Sequence, residues 1–176
     1  MADSNFVTLA ELKDHCRVDF ADDDALLETY KLAAIAHAEN FINRPIVDRQ
    51  VTEAVGCFAE TIPLKTAEVQ SVDEITYFDA DNQAQILDPS AYVLQGFTDF
   101  DVKIASPLPE TAPRGDAVRI ALSAGMVAVP ASLRAAILLI VGTLYEIREN
   151  DVTGTIVAQH SMSYNRLLWP HRRIPV

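Results

Sequence analysis

Between Val129 and Asn150 the chain reads VPASLRAAILLIVGTLYEIREN, and its apolar residues fall on one side of a helix: Leu133, Ile137, Ile140, Val141, Leu144 and Ile147. Leu138, Leu139 and Tyr145 widen that stripe, so the pattern predicts a long helix buried on more than one face. Pro130 suits a first helical turn, where no N–H is needed, and Ser132 can cap from just inside. The uncharged run from Arg134 to Glu146 is shorter than the roughly 18 residues that a membrane span requires, which makes this a core helix. At about 1.5–3 kcal/mol per buried large side chain, the stripe contributes on the order of 10 kcal/mol before entropy is subtracted. Gly142 costs the helix about 1 kcal/mol relative to alanine, and a close crossing by another helix or another subunit would explain it.

Upstream, Thr8 and Glu11 form a capping box, Val7 and Leu12 fit the hydrophobic staple, and a short helix follows to about Cys16. Asp22, Asp23 and Asp24 open a second helix at the positive end of its dipole. Its inner stripe is read as Leu27, Tyr30, Ala34, Ala38 and Phe41, with alanines that permit close packing, and Asn43, Arg44 and Pro45 end it. From Ile46 to about Gly125 the period changes to two. Val51, Val55 and Cys57, then Ile75 and Tyr77, then Val118, Ile120 and Leu122 alternate with small or polar residues, which predicts half-buried antiparallel strands. Residues 79–82 make a hairpin tip. As a calcium loop they fail, because Ala84 holds the glycine position and Ser90 the glutamate position. Residues 105–116, rich in proline, read as an exposed loop. The fold class is therefore α+β: one domain, 1–176, with a helical core from 8–44 and 129–150, an inserted antiparallel β-sheet subdomain at 46–125, and a C-terminal arm at 151–176. In that arm Tyr164 to Trp169 is expected to add a helical turn before Pro170, and Leu167, Leu168 and Trp169 need cover.

Charge changes the picture at one end. The chain carries −11, yet Ser163–Val176 holds Arg166, Arg172 and Arg173 and no acid, leaving −14 for the rest. An acidic body argues against a protein that grips nucleic acid through phosphate contacts. The cationic tail is either a solvated terminus or a docking segment for an acidic partner, such as a neighbouring copy. Candidate docking residues are Arg166, Leu167, Leu168, Trp169, His171, Arg172 and Arg173; candidate subunit-packing residues are Ala34, Ala38 and Gly142.

Candidate chemistry is sparse. Cys16 and Cys57 are isolated and read as buried free thiols. No nucleophile elbow, phosphate loop, HExxH or close ligand pair occurs, so no catalytic residue, metal or cofactor is expected. His15, His37, His160 and His171 are scattered and read as surface or packing residues. The N-terminal MADSNF shows no basic-then-apolar signal pattern, and cytoplasmic synthesis is expected.

Seven segments, in this order, carry a family resemblance: LAELKDHCRVDFADDDALLETY, ENFINRPI, VQSVDEITYFDAD, LDPSAYVL, GDAVRIALSAG, VPASLRAAILLIVGTLYEIRE and LLWPHR. Together the set resembles the head-to-tail connector, or adaptor, proteins of long-tailed bacteriophages, prophages and gene transfer agents. The chain departs from that pattern at Leu64–Lys65, at Asn82–Gln83 where glycine is frequent, and at His171. The resemblance implies a non-enzymatic virion protein assembled in the host cytoplasm. Its partners would be further copies of itself in a ring, usually twelvefold, the portal protein above and a tail-completion or stopper protein below. DNA would pass through the centre without sequence-specific binding, and no membrane is involved. The rival readings are another neck or tail-completion protein, a generic interaction module, and a small enzyme with a dispersed site.

Overall fold

The structure, a computed structural model, describes residues 6–97, 99–147 and 161–174. The chain divides into two compact units, a β unit made from Val47–Met126 and a helical unit made from the segments before and after it.

The helical unit begins with α1 (Leu9–Cys16) and α2 (Asp24–Ile42) and continues with α3 (Ala131–Glu146) and α4 (Ser161–Leu168). The Thr8 capping box is present. Thr8 Oγ1 accepts from the Glu11 N–H at 3.3 Å, and a Glu11 carboxylate oxygen accepts from the Thr8 N–H at 2.9 Å. Val7 and Leu12 are both buried, as the staple requires. Asn43 ends α2 in the left-handed conformation, which asparagine tolerates better than most residues.

In α3, Leu133, Ile137, Ile140 and Val141 are buried as the stripe predicts, and Ala136 joins them. Ile147 is 41% exposed because the helix stops at Glu146; Arg148 to Asn150, which the sequence pattern includes, lie outside the described residues. Ser132 makes no cap, and Pro130 itself takes the N-cap position. On α2 the buried line is Leu27, Lys31, Ala34, Ile35, Ala38 and Ile42, so the expected stripe is correct through its alanines but rotated at Tyr30 and Phe41. Lys31 enters that line because its alkyl stem is apolar while its ammonium reaches Glu28 at 2.6 Å. Asp23 holds the N-cap position and Asp24 the first turn, as expected, but Asp23 makes no side-chain cap hydrogen bond and both tie helices together. Asp24 pairs with Lys13 at 2.7 Å and Asp23 accepts from the Tyr145 hydroxyl at 2.6 Å. Arg134 pairs with Glu11, joining α3 to α1.

The β unit contains two antiparallel sheets where one was expected. β1 (Arg49–Val55), β7 (Val118–Ala124), β3 (Val69–Phe78) and β4 (Ala84–Ile86) form the first, in that spatial order. β2 (Thr61–Pro63), β6 (Phe100–Ile104) and β5 (Tyr92–Gly96) form the second. The alternation in β7 is kept, with Val118, Ile120 and Leu122 buried between Arg119, Ala121 and Ser123. These three share one apolar cluster with Ile75 of the same sheet and with Ile62 and Val102 of the other. The half-buried Glu53 of β1 accepts from the N–H groups of Lys65 (3.1 Å) and Thr66 (2.7 Å), which fixes the bend after β2. Where the chain enters and leaves this unit, Gly125 has φ +158, and a Cβ there would lie 2.7 Å from the Cα of Asp48. Only glycine allows that approach.

The hairpin tip is as read. Asn82 takes a positive φ of 59, and Asp79 Oδ1 accepts from the N–H groups of Asp81 and Gln83. Those hydrogen bonds hold the Asp79 carboxyl below its ordinary range. The proline-rich loop is pinned, because Ala112 is buried and its N–H donates to the Phe78 carbonyl at 2.9 Å. Cys57 is exposed, since it follows the end of β1 in a bend; Cys16 is half-buried.

Arg114 donates to both oxygens of Asp116 (2.6 and 2.8 Å) and Arg119 to one of them (2.7 Å), while the Arg114 guanidinium lies 4.0 Å from the Phe78 ring centroid. These bonds hold the Asp116 carboxyl far below its ordinary value of 3.8. A depressed carboxylate stabilises the fold fully above 3.8, and that contribution is lost as pH falls through the folded-state value. The urea midpoint of Asp116→Asn should therefore lie below that of the parent at neutral pH, and the gap should close on acidification below 3.8. A gap that stays constant with pH would contradict the assignment.

Candidate partner-docking surface

Residues 161–174 pack on the helical unit where a single helical turn in an arm is expected. α4 starts at Ser161, before Tyr164, and packs on α3 and α2. A 3-10 turn, Trp169–His171, follows with Pro170 in its first positions, where a missing N–H is harmless. Leu168 is fully buried.

Three polar or aromatic ties hold α4 and the turn. The Arg173 N–H donates to the carbonyl of Ile42 at 2.8 Å, satisfying one of the carbonyls that the C-terminus of α2 leaves without a helical partner. His171 Nε2 and Ser132 Oγ share a hydrogen bond of 2.7 Å. His37 and Tyr164 meet edge to face at 5.8 Å between ring centroids.

The seven predicted docking residues thus divide. Leu168 belongs to the core; His171, Leu167 and Arg173 are half-buried; Arg166, Trp169 and Arg172 face outward. Trp169 is 62% exposed and packs edge-on against Phe41 of α2 at 6.3 Å. The Arg172 guanidinium lies 5.4 Å from the Trp169 centroid and 5.7 Å from that of Phe41. Such a cation–π contact contributes about 0.5–1 kcal/mol at an exposed site, which biases the guanidinium toward the two rings without burying its donors. Ile174, 76% exposed, follows. The result is a cationic, aromatic surface. Phe41 and Ile174 were not among the sequence candidates. Phe41 was assigned to the inner stripe, and Ile174 stands alone between Arg173 and Pro175 with no period to read.

The expected subunit-packing residues are placed inside the unit. Ala34 and Ala38 have no exposed surface. Gly142 is approached by a side chain, not a backbone: a Cβ there would meet His15 Nε2 at 3.0 Å. His160 lies outside the described residues.

A polar groove of about 340 Å³ is lined by His15, Cys16, Arg17, Gly142, Tyr145 and Glu146. Burial and the Glu146 charge push the Cys16 thiol up, opposite to what a nucleophilic cysteine needs. The Tyr145 hydroxyl is already engaged by Asp23. Among the described residues no group of three or more His, Cys, Asp or Glu side chains could hold a metal ion. No described helix is long and apolar enough to cross a membrane.

Residues 6–85 match the sequence model of the phage gp6-like head-tail connector proteins. The match covers slightly less than half of the chain. The head-to-tail connector reading made from the sequence is borne out by it. The whole connector chain also has the fold of solved gene transfer agent chains. One, from the neck of a native particle computed with C12 symmetry, is 22% identical, with 100% of this chain and 97% of that chain covered and a TM-score of 0.73. A second, from the neck of an empty particle computed with C6 symmetry, has 22% identity, the same coverage and a TM-score of 0.74. A third, from the virion of a native particle, has 21% identity, covers 100% and 94% of the two chains, and gives a TM-score of 0.76. None of the curated proteins matches the sequence.

The division of the tail sets a prediction. Leu168→Ala should lower the unfolding free energy of the connector by about 2–5 kcal/mol, whereas Arg172→Ala should change it by no more than about 1 kcal/mol. Urea denaturation of the two variants measures both, and equal effects would contradict this placement. Removing the whole tail is not a clean test of docking, because it removes Leu168 from the core.

Proposed function

We propose that this protein is a structural, non-enzymatic connector in the neck of a phage-like particle, forming a ring under the portal and joining a DNA-filled head to its tail. The observation that carries the reading is the match of residues 6–85 to the connector family's sequence model together with a fold that follows solved neck chains over 100% of its length. The ring is twelvefold, a proposal supported by the C12 symmetry of the neck that one of those chains comes from. The portal protein binds above it and a tail-completion or stopper protein below. The particle is a phage, prophage or gene transfer agent assembled in the host cytoplasm.

The electrostatics suit that role. Residues 47–126 hold 13 acids and five bases, and the chain as a whole carries −11. A lumen walled by such a surface gives a passing duplex no phosphate-binding cations, so DNA is neither gripped nor read. The polar groove also supports a structural role, since it presents a thiol whose pKa burial pushes up and a tyrosine already bonded.

Deleting the gene in the element that encodes the chain should leave DNA-filled heads without tails, restored by the gene in trans. Tailed particles at normal yield, counted by electron microscopy, would overturn the proposal.

A further inference from the structure

The helical unit exposes the cationic aromatic surface of Phe41, Trp169, Arg172 and Ile174. The β unit exposes a counterpart. β5 and β6 pair with Gln95 opposite Asp101 and Gly96 opposite Phe100, which places Phe97 and Asp99 at the tip of a short hairpin. Gly96 has φ +111, and a Cβ there would run into the Asp99 carbonyl, so the tightness of the tip depends on glycine. That tip holds Phe97 with 95% of its surface exposed. Val93, on the same strand, is 58% exposed. Asp99 and Asp101 flank the tip within a segment, residues 47–126, of net charge −8. Phe97 and Val93 together leave two large apolar side chains on this strand and its turn for a partner to cover.

We infer that the Phe97 hairpin of one copy docks on the Phe41–Trp169–Arg172 surface of a neighbouring copy, and that this pairing is a subunit contact of the connector ring. Three features favour a second copy as the occupant. The charges are opposite, with carboxylates beside Phe97 and the guanidinium of Arg172 beside Trp169. Each surface supplies what the other lacks, an aromatic knob on one side and a two-ring platform on the other, and tryptophan, arginine and an aromatic anchor are the side chains that dominate interface energies. The two surfaces are unlike and lie on different folding units, so the contact is heterologous, the type that propagates into a closed ring. The inference rests on the ring reading above and names the residues that would make it.

The test uses the full chain with the photo-reactive residue benzoylphenylalanine in place of Phe97, irradiated across a concentration series, with crosslinked peptides mapped by mass spectrometry. The expected result is a ladder of covalent oligomers with crosslinks from position 97 to Phe41 or to residues 166–174 of another copy. Arg172→Glu should cut that yield about tenfold or more while circular dichroism stays unchanged. Crosslinks to a different part of the neighbour, crosslinks to portal protein added to the mixture in preference to a second copy, an absence of interchain crosslinks, or an unaffected yield in Arg172→Glu would each overturn the contact. The solution mass of the parent chain separates the two failures. Rings with crosslinks elsewhere leave the connector reading standing, whereas no rings and no crosslinks remove the ring as well.

Discussion

Burial of the apolar face of α3 is the constraint on which the helical unit depends. Leu133, Ala136, Ile137 and Val141 are fully buried, and α3 packs on α1, α2 and α4. Segments from the two ends of the sequence are thereby drawn to one helix, with the β unit between them in the chain. Polar ties trim the arrangement without creating it. The Arg134–Glu11 pair and the Tyr145–Asp23 hydrogen bond both join α3 to the N-terminal helices, yet exposed ion pairs contribute only about 0–1 kcal/mol each. One fully buried leucine or isoleucine outweighs them.

The same burial decides what is left for partners. Once Leu168 is taken into the core and His171 is bonded to Ser132, the short turn around Pro170 must present Trp169 and Arg172 outward. Residues 161–174, which read in sequence as part of a cationic arm, are therefore packed on the unit with an outer face left for another molecule. The charge pattern follows the same division. The acids are spread over the N-terminal helices and the β unit, and the terminal segment carries arginines as its only charged side chains.

Much of the fold was legible wherever one period dominated. The α3 stripe, the β7 alternation, the Thr8 capping box and the Asp79 turn are each set by local chemistry, and each was read correctly. Failures came where a distant partner overrode the local signal. Ser132 looks like a cap but bonds a histidine 39 residues away. Lys31 looks like a surface residue, although its stem lies in the buried line of α2. A second sheet could not be separated from the first, because β2 is three residues long and its pairing with β6 leaves no trace in either sequence. The outward half of the candidate surface was visible as arginines beside Trp169; the Phe41 platform beneath it was not, since α2 is amphipathic only weakly and its stripe could be placed one residue off.

The central claim is that this chain is a ring-forming connector between head and tail. Cryo-electron microscopy of the neck of particles made by the element that encodes it tests that claim most directly. The account predicts a closed ring of this chain between portal and tail, with the fold described above in every copy. Particles whose neck lacks the chain, or that hold it as isolated two-fold pairs, would contradict it.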